Sequence, residues 1–357
     1  MKSQMKVVPI ILVEILILFA SPTLGQPIQG GLNYLISSQN PNGSWGNQTS
    51  CAESFPSTIE VLKTLRVLNN AGNSTYTDAI SWLQNQSLDT TDYLSERIYA
   101  LSVAGPDRDI LLSFLDELLM AWGGYDEYGV NNLDTSLALS ALKRINYSDQ
   151  NIASYGLGYL LSTQNSDGGW GVYPSACSGC EADPSNVYMT SLVIDTLSQY
   201  KSIYNLEAQI NNGVAYLLSK QNPDGGFGSS PSTVYETALA FLALIIMNGQ
   251  GQAQPLQNAI NYLTSTQLSN GSWNDDPYST ALALRALAHV KPNFSIIPTD
   301  IAFSNPTPKI GDTITITATI YNEGPATLSI GLISPHFTRI YIIPIRTSFS
   351  LKYSVIP

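Results

Sequence analysis

The heptapeptide NSDGGWG at Asn165–Gly171 has three counterparts in the chain, and together they restrict the fold more than any other feature. NPNGSWG stands at Asn40–Gly46, NPDGGFG at Asn222–Gly228 and LSNGSWN at Leu268–Asn274. The residues upstream share one spacing, aromatic-Leu-x3-Gln-x3-Gly-x-aromatic. Tyr34-Leu35 precedes Gln39, Gly43 and Trp45, and Tyr159-Leu160 precedes Gln164, Gly168 and Trp170. Tyr216-Leu217 precedes Gln221, Gly225 and Phe227, and Tyr262-Leu263 precedes Gln267, Gly271 and Trp273. Self-similarity at fixed spacing marks a repeat architecture, in which each unit buries its apolar face against its neighbours.

Each unit reads as helix, glycine turn, helix. The segments before the turns, such as ASYGLGYLLSTQ, are amphipathic. Those after them, Val187–Tyr200, Val234–Met247 and Pro277–Val290, are apolar on more than one face, as a helix buried on most sides must be. Two degenerate units, Ala79–Ala104 and Ile110–Arg144, fill the gap. The spacing predicts an all-α fold of six helical pairs between about Pro27 and Val290, closed as an (α/α)6 toroid with the apolar helices inside. An open solenoid would want polar capping repeats, and the last pair is as regular as the middle ones. At each turn the chain reverses. Glycine takes the positive φ this needs, and the preceding Asn or Asp favours the turn. The Trp or Phe is expected beneath the neighbouring outer helix, with the Gln satisfying exposed backbone groups. Gln39, Trp45, Gln164, Trp170, Gln221, Phe227, Gln267 and Trp273 are thus read as structural staples.

The repeat resembles the Gln-Trp motif of squalene–hopene cyclases and related terpenoid cyclases, and the helical pairs of protein prenyltransferase β subunits. The likeness covers roughly Pro27 to Val290 and is specific for the toroid superfamily rather than for an activity. Squalene–hopene cyclases protonate an alkene with the middle Asp of an Asp-x-Asp-Asp-Thr motif at the start of an inner helix. The best match is NNLDT at Asn131–Thr135, where Asp134 aligns with the last Asp and Leu133 takes the place of the proton donor. Prenyltransferases hold zinc through Asp, Cys and His. The two histidines, His289 and His336, stand in no metal-ligand spacing, so neither a metal nor another cofactor is expected.

The chain ends differently. DTITITATIYN, within Pro298–Ser329, alternates between Pro- and Gly-rich turns. It resembles the first strands of an immunoglobulin-like, cell-adhesion-related (CARDB-like) β-sandwich. Such a sandwich needs about 100 residues. Residues 298–357 are too few, and from Leu332 onward there is neither Asp nor Glu. The end is therefore read as a partial domain, truncated or frameshifted, with an edge hairpin as the alternative. At the other end, MKSQMK, an apolar run through Ala20 and the small residues before Gly25 form a signal peptide over residues 1–25, with an uncleaved anchor as the alternative. The toroid is placed at 26–292. Secretion or display at the cell surface follows as an expectation, with no further transmembrane span.

The net charge of −11 argues against nucleic acid as a partner. Candidate chemistry lies where the inner helices begin. Tyr188, Tyr235 and Tyr278 align in a column, and with Trp122 are candidates to line a pocket for an apolar or carbohydrate ligand or a cell-surface component. Asp134, Glu236 and Asp276 are the candidate catalytic carboxylates at the same mouth, where a pair could serve acid–base or glycosidic chemistry. The same acids also suit helix N-termini, with Thr and Ser as caps. Cys177 and Cys180 are expected to pair as a local disulfide, leaving Cys51 free on the opposite side of the ring. Two functions stand open: a non-catalytic ligand- or surface-binding module, or a divergent terpene-cyclase-like or carbohydrate-active enzyme.

Overall fold

The computed structural model describes residues 22–87, 90–102, 113, 115, 118, 130–173, 183–246 and 252–290, and, further on, 294–295, 301–305, 313–322, 328–334, 337–343 and 346–354. Thr23–Val290 is one compact unit, and the strands beyond it belong to another.

The first unit is helical. Its described helices are α1 (Pro22–Ser37), α2 (Cys51–Val67), α3 (Ser74–Gln84), α4 (Thr91–Ser102), α5 (Asn132–Arg144), α6 (Gln150–Ser162), α7 (Val187–Tyr200), α8 (Glu207–Ser219), α9 (Val234–Ile246), α10 (Ala253–Ser265) and α11 (Pro277–Ala288). Of the twelfth expected helix, in Ile110–Gly129, only Ser113, Leu115 and Leu118 are described, and all three are helical. No described helix is long and apolar enough to cross a membrane.

The apolar helices form the inner ring, as their patterning requires. α2 packs on α4, α4 on α5, α5 on α7, α7 on α9, α9 on α11, and α11 returns to α2. α6, α8 and α10 lie outside, each against the inner helix that precedes or follows it, and α3 lies against α2 and α4. The toroid is closed, and hydrogen bonds cross its seam. Thr64 Oγ1 of α2 donates to the Ala281 carbonyl of α11 at 2.8 Å, and Gln267 Nε2 donates to the Pro27 carbonyl of α1 at 2.8 Å.

The repeated turn is the joint between units. Trp45, Trp170, Phe227 and Trp273 are completely buried. Each Trp indole N–H donates to a carbonyl of its own outer helix: Leu35 at 2.7 Å, Leu160 at 2.8 Å and Leu263 at 2.6 Å. Each Gln side chain donates twice, once to the turn glycine and once to a carbonyl near the start of the next outer helix. Gln164 Nε2 reaches the Gly168 carbonyl at 2.8 Å and the Gln209 carbonyl at 2.9 Å. Gln39 and Gln221 likewise reach Thr75 and Pro255. Gly168 has φ +88°, and a Cβ there would stand 2.6 Å from the Asn212 carbonyl of α8. Glycine is thus required for both torsion and clearance.

The threonines near the starts of the inner helices differ from expectation. Asn131, Asn186 and Asp276 cap α5, α7 and α11 by accepting backbone N–H bonds. Thr190, Thr237 and Thr280, one turn further in, and Thr58, two turns into α2, accept the backbone N–H of the stapling aromatic, at 3.0, 2.8, 2.9 and 2.9 Å. A buried N–H in a tight turn needs an acceptor, and a hydroxyl on the following helix supplies it. At α9 the residue just before the helix, Thr233, accepts the Glu236 N–H at 3.3 Å.

In the second unit, β1 (Phe294–Ser295) and β2 (Ile301–Phe303) pair antiparallel with one edge of β3 (Thr313–Asn322), and β6 (Arg346–Ser354) with the other. β4 (Leu328–Ser334) and β5 (Phe337–Ile343) form a separate antiparallel pair. The alternating segment is β3, as its period of two predicts. Beyond Leu332, where the sequence has neither Asp nor Glu, β5 and β6 form. RTSFSLKYS itself alternates, and its register sets Thr347, Phe349, Leu351 and Tyr353 opposite Ile320, Ala318, Ile316 and Ile314.

Candidate functional site

The inner helices begin at the same mouth, so residues three, four and seven apart on each line the bore. They enclose a cavity of about 550 Å³, within the range of small-molecule sites. Its lining divides into three parts.

Aromatic rings collar the mouth. Tyr235 lies between Tyr188 and Tyr278, with ring centroids 6.4 Å from each. Phe55 and Tyr93 stack at 4.6 Å on the other side. Tyr188 and Tyr278 line the cavity itself, and burial raises both phenols well above their ordinary range. The expected tyrosine column is therefore one cluster, with two of its three members on the cavity wall. Trp122 lies outside the described residues.

An aliphatic wall follows. Leu133 and Leu137 of α5, Leu192 of α7, and Leu239, Leu242 and Ile246 of α9 supply it. Leu133 occupies the position aligned with the cyclase proton donor, and it presents no acid to the cavity.

Opposite stands a group of charges that sequence reasoning missed. Lys63 Nζ of α2 lies 2.9 Å from Glu60 and 2.8 Å from Glu96 of α4, and Arg285 of α11 lies 2.5 Å from Glu60. Asp195 of α7 also faces this space, accepting a bond from Gln199 Nε2 at 3.1 Å. Desolvation pushes the Glu60 carboxyl upward, but Arg285 and Lys63 outweigh it and hold it below its usual value. Glu96 and Asp195 are both raised, chiefly by desolvation, with the nearby cations opposing. Asp195 is exposed on the cavity wall. Lys63 also stands 4.9 Å over the Tyr99 ring. Charges this deep are strongly desolvated, and perturbed carboxyls in a cleft mark functional-site candidates. One signal was legible: Asp195 and Arg285 stand seven residues after Tyr188 and Tyr278, on the same helix face, in otherwise apolar helices.

The three carboxylates singled out from sequence lie elsewhere, at helix starts rather than on the cavity wall. Asp134 accepts from Asn131 Nδ2 at 2.7 Å in a reciprocal cap, and burial raises its carboxyl. Nearby Tyr159 is pushed up to about 12, by burial and then by Asp134. Glu236 accepts from Thr233 Oγ1 at 2.7 Å, and Asp276 accepts the N–H groups of Tyr278 and Ser279. His289 closes α11, its Nδ1 2.7 Å from the Arg285 carbonyl. Cys177 and Cys180 lie outside the described residues, and Cys51 begins α2. Among the described residues no group of three or more His, Cys, Asp and Glu could hold a metal ion.

Known proteins share this architecture. A drimenyl diphosphate synthase of Streptomyces showdoensis is 30% identical over 145 residues, 37% of this chain and 25% of its own length. A probable squalene–hopene cyclase of Sinorhizobium fredii is 26% identical over 194 residues, 44% of this chain and 28% of its own. The chain thus spans about a quarter of the length of these curated relatives. Among solved structures, the type II terpene cyclase MstE from Scytonema, in complex with its substrate geranylgeranyl dihydroxybenzoate, superposes with a TM-score of 0.59 at 15% identity. The superposition covers 75% of this chain and 97% of that one, a likeness of fold. Residues 61–277, more than half of the chain, match the prenyltransferase alpha-alpha toroid domain, and with its closed ring of stapled hairpins the chain belongs to that family.

Proposed function

We propose that the protein is an exported toroid that binds an apolar, isoprenoid-like ligand in its central cavity without transforming it. The observation that carries this reading is the lining: an aliphatic wall on α5, α7 and α9, with Leu133 where the related cyclases place their proton donor. Alkene protonation needs a strong acid held against the substrate, and Asp134 is engaged in a helix cap instead. The complex of MstE with geranylgeranyl dihydroxybenzoate supports the ligand class by analogy of fold. Export rests on the basic and apolar N-terminal stretch. The alternating strands beyond Lys291 are read as a cell-adhesion-type module that presents the toroid at the surface.

Two measurements test this. Native mass spectrometry of protein purified from its source is expected to reveal a retained apolar molecule. Incubation with squalene is expected to give no product. A product peak that vanishes in Asp134→Asn or Asp195→Asn would make the protein an enzyme and overturn the reading.

A further inference from the structure

The repeat sets a common depth in the bore. Five residues beyond the threonines that hold the stapling aromatics stand Lys63 of α2, Asp195 of α7, Leu242 of α9 and Arg285 of α11, and all four line the cavity. Lys63 and Arg285, on neighbouring helices, share Glu60. Asp195 stands on the other side of α9 from Arg285, across Leu242. The two feel each other. Desolvation raises the Asp195 carboxyl and Arg285 opposes the rise, while Asp195 helps to keep Arg285 charged against its own desolvation. Among the described residues no ion pair or hydrogen bond joins them, and each keeps bonding capacity. Asp195, exposed on the cavity wall, accepts one bond, from Gln199 at Oδ2. Arg285, partly exposed, meets Glu60 through Nη1, and the rest of its fork of N–H groups is uncommitted among the described residues. The lining as a whole is balanced. Beside Lys63 and Arg285 it carries Arg66 and Arg144, and beside Glu60 and Asp195 it carries Asp92 and Glu96, four cations against four carboxylates.

We propose that Asp195 and Arg285 hold between them the hydroxyl group of an otherwise apolar ligand, the hydroxyl donating to the carboxylate and accepting from the guanidinium. This rests on the reading of the cavity as an apolar-ligand site, and names the ligand's polar group. One partner wants a donor and the other an acceptor, and the smallest neutral group that serves both is a hydroxyl. An ether or ketone oxygen would serve Arg285 and leave Asp195 without a donor. An ammonium or a phosphate would bring a charge that the balanced lining does not counter, and would lose its hydration on entry. Hydrogen bonds to charged partners are the strong ones, so a single hydroxyl suffices to discriminate. The site lies seven residues beyond Tyr188 and Tyr278, about 10 Å below the mouth at 1.5 Å per residue. Leu192, Leu239 and Leu242 give the carbon skeleton an apolar bed beside it. The ligand class is thus a terpenoid alcohol rather than a hydrocarbon or a phosphate ester.

The test is isothermal calorimetry on the full chain with decanol, decyl methyl ether, decylamine and decyl phosphate, each below its aggregation concentration. Decanol is expected to bind at least about ten-fold more tightly than the ether, the scale of one hydrogen bond to a charged partner. It should also bind more tightly than the amine or the phosphate. Asp195→Leu removes the acceptor and should bring the alcohol level with the ether. Arg285→Lys keeps the charge beside Glu60 but shortens the donor, and should weaken alcohol and ether alike. Thermal melts establish that the variants fold, and if Arg285→Lys does not, Asp195→Leu decides alone. The inference is overturned if the alcohol holds no advantage over the ether, if the amine or the phosphate binds best, or if the advantage survives in Asp195→Leu. Equal binding of alcohol and ether would leave the apolar-ligand reading standing and sink this inference only. If none of the four binds, that reading fails, and this inference with it.

Discussion

Asp195 illustrates how a carboxylate on a cavity wall can work against the fold that holds it. Its carboxyl is raised in the folded protein, chiefly by desolvation. In the unfolded chain an Asp titrates near about 3.9. As pH rises from that value, the unfolded state loses its proton first, so stability falls until the folded-state carboxyl has also ionised. Below about 3.9 both states are protonated and the effect disappears. Asp195→Asn is therefore expected to raise the Tm near neutral pH, and the gain should vanish in melts at acidic pH. No gain at neutral pH would mean that Asp195 is well compensated. Trp170 is the opposite case, chosen wholly for structure. Truncation to Ala should destabilise by about 3–5 kcal/mol, the range for a fully buried aromatic. A loss under about 1 kcal/mol in denaturant melts would contradict its burial. The staples were legible because four copies at one spacing expose the constraint. The charge group was not, because its members are spread over α2, α4, α7 and α11 and only the closed ring brings them together. The carboxylates that sequence favoured were conspicuous for standing at helix starts, which is also where capping acids stand.

At the level of the element, the unit is a hairpin locked by three bonds around one aromatic residue. The indole N–H of Trp170 ties the turn to the helix before it, its backbone N–H ties it to Thr190 of the helix after it, and Gln164 ties it to the next unit. Thr190→Val keeps the volume but leaves the Trp170 N–H buried without an acceptor. A loss of about 1–3 kcal/mol is expected, the range for orphaning a buried donor. Chemical denaturation reads it, and a neutral result would mean that another acceptor replaces the hydroxyl. Hydrophobic periodicity predicted these hairpins. It could not distinguish a capping Thr from one that accepts a bond from the preceding turn, since both stand near the start of a helix.

At the scale of the whole molecule, closure is testable through the seam. Gly271 has φ +90°, and a Cβ on it would collide with the Gly30 carbonyl of α1. In an open solenoid the two residues would be far apart. Gly271→Ala is expected to speed amide hydrogen exchange in α1 (Pro22–Ser37) as well as around its own turn. Exchange confined to α10 and α11 would deny the seam. The regular last pair made closure legible in sequence; the third unit, with its degenerate turn, carried little signal.

A ring that closes has a fixed circumference. A solenoid can gain or lose a repeat and merely lengthen, but here an added hairpin would have to break the seam between α11 and α2. The calibre of the bore is thus not free to drift by duplication. What can change is the facing of the bore, sector by sector, because each inner helix contributes its own strip of side chains. Selectivity in such a protein evolves by exchanging single residues on the inner wall, and two chains of this architecture with unlike ligands should differ there while their stapled turns stay the same.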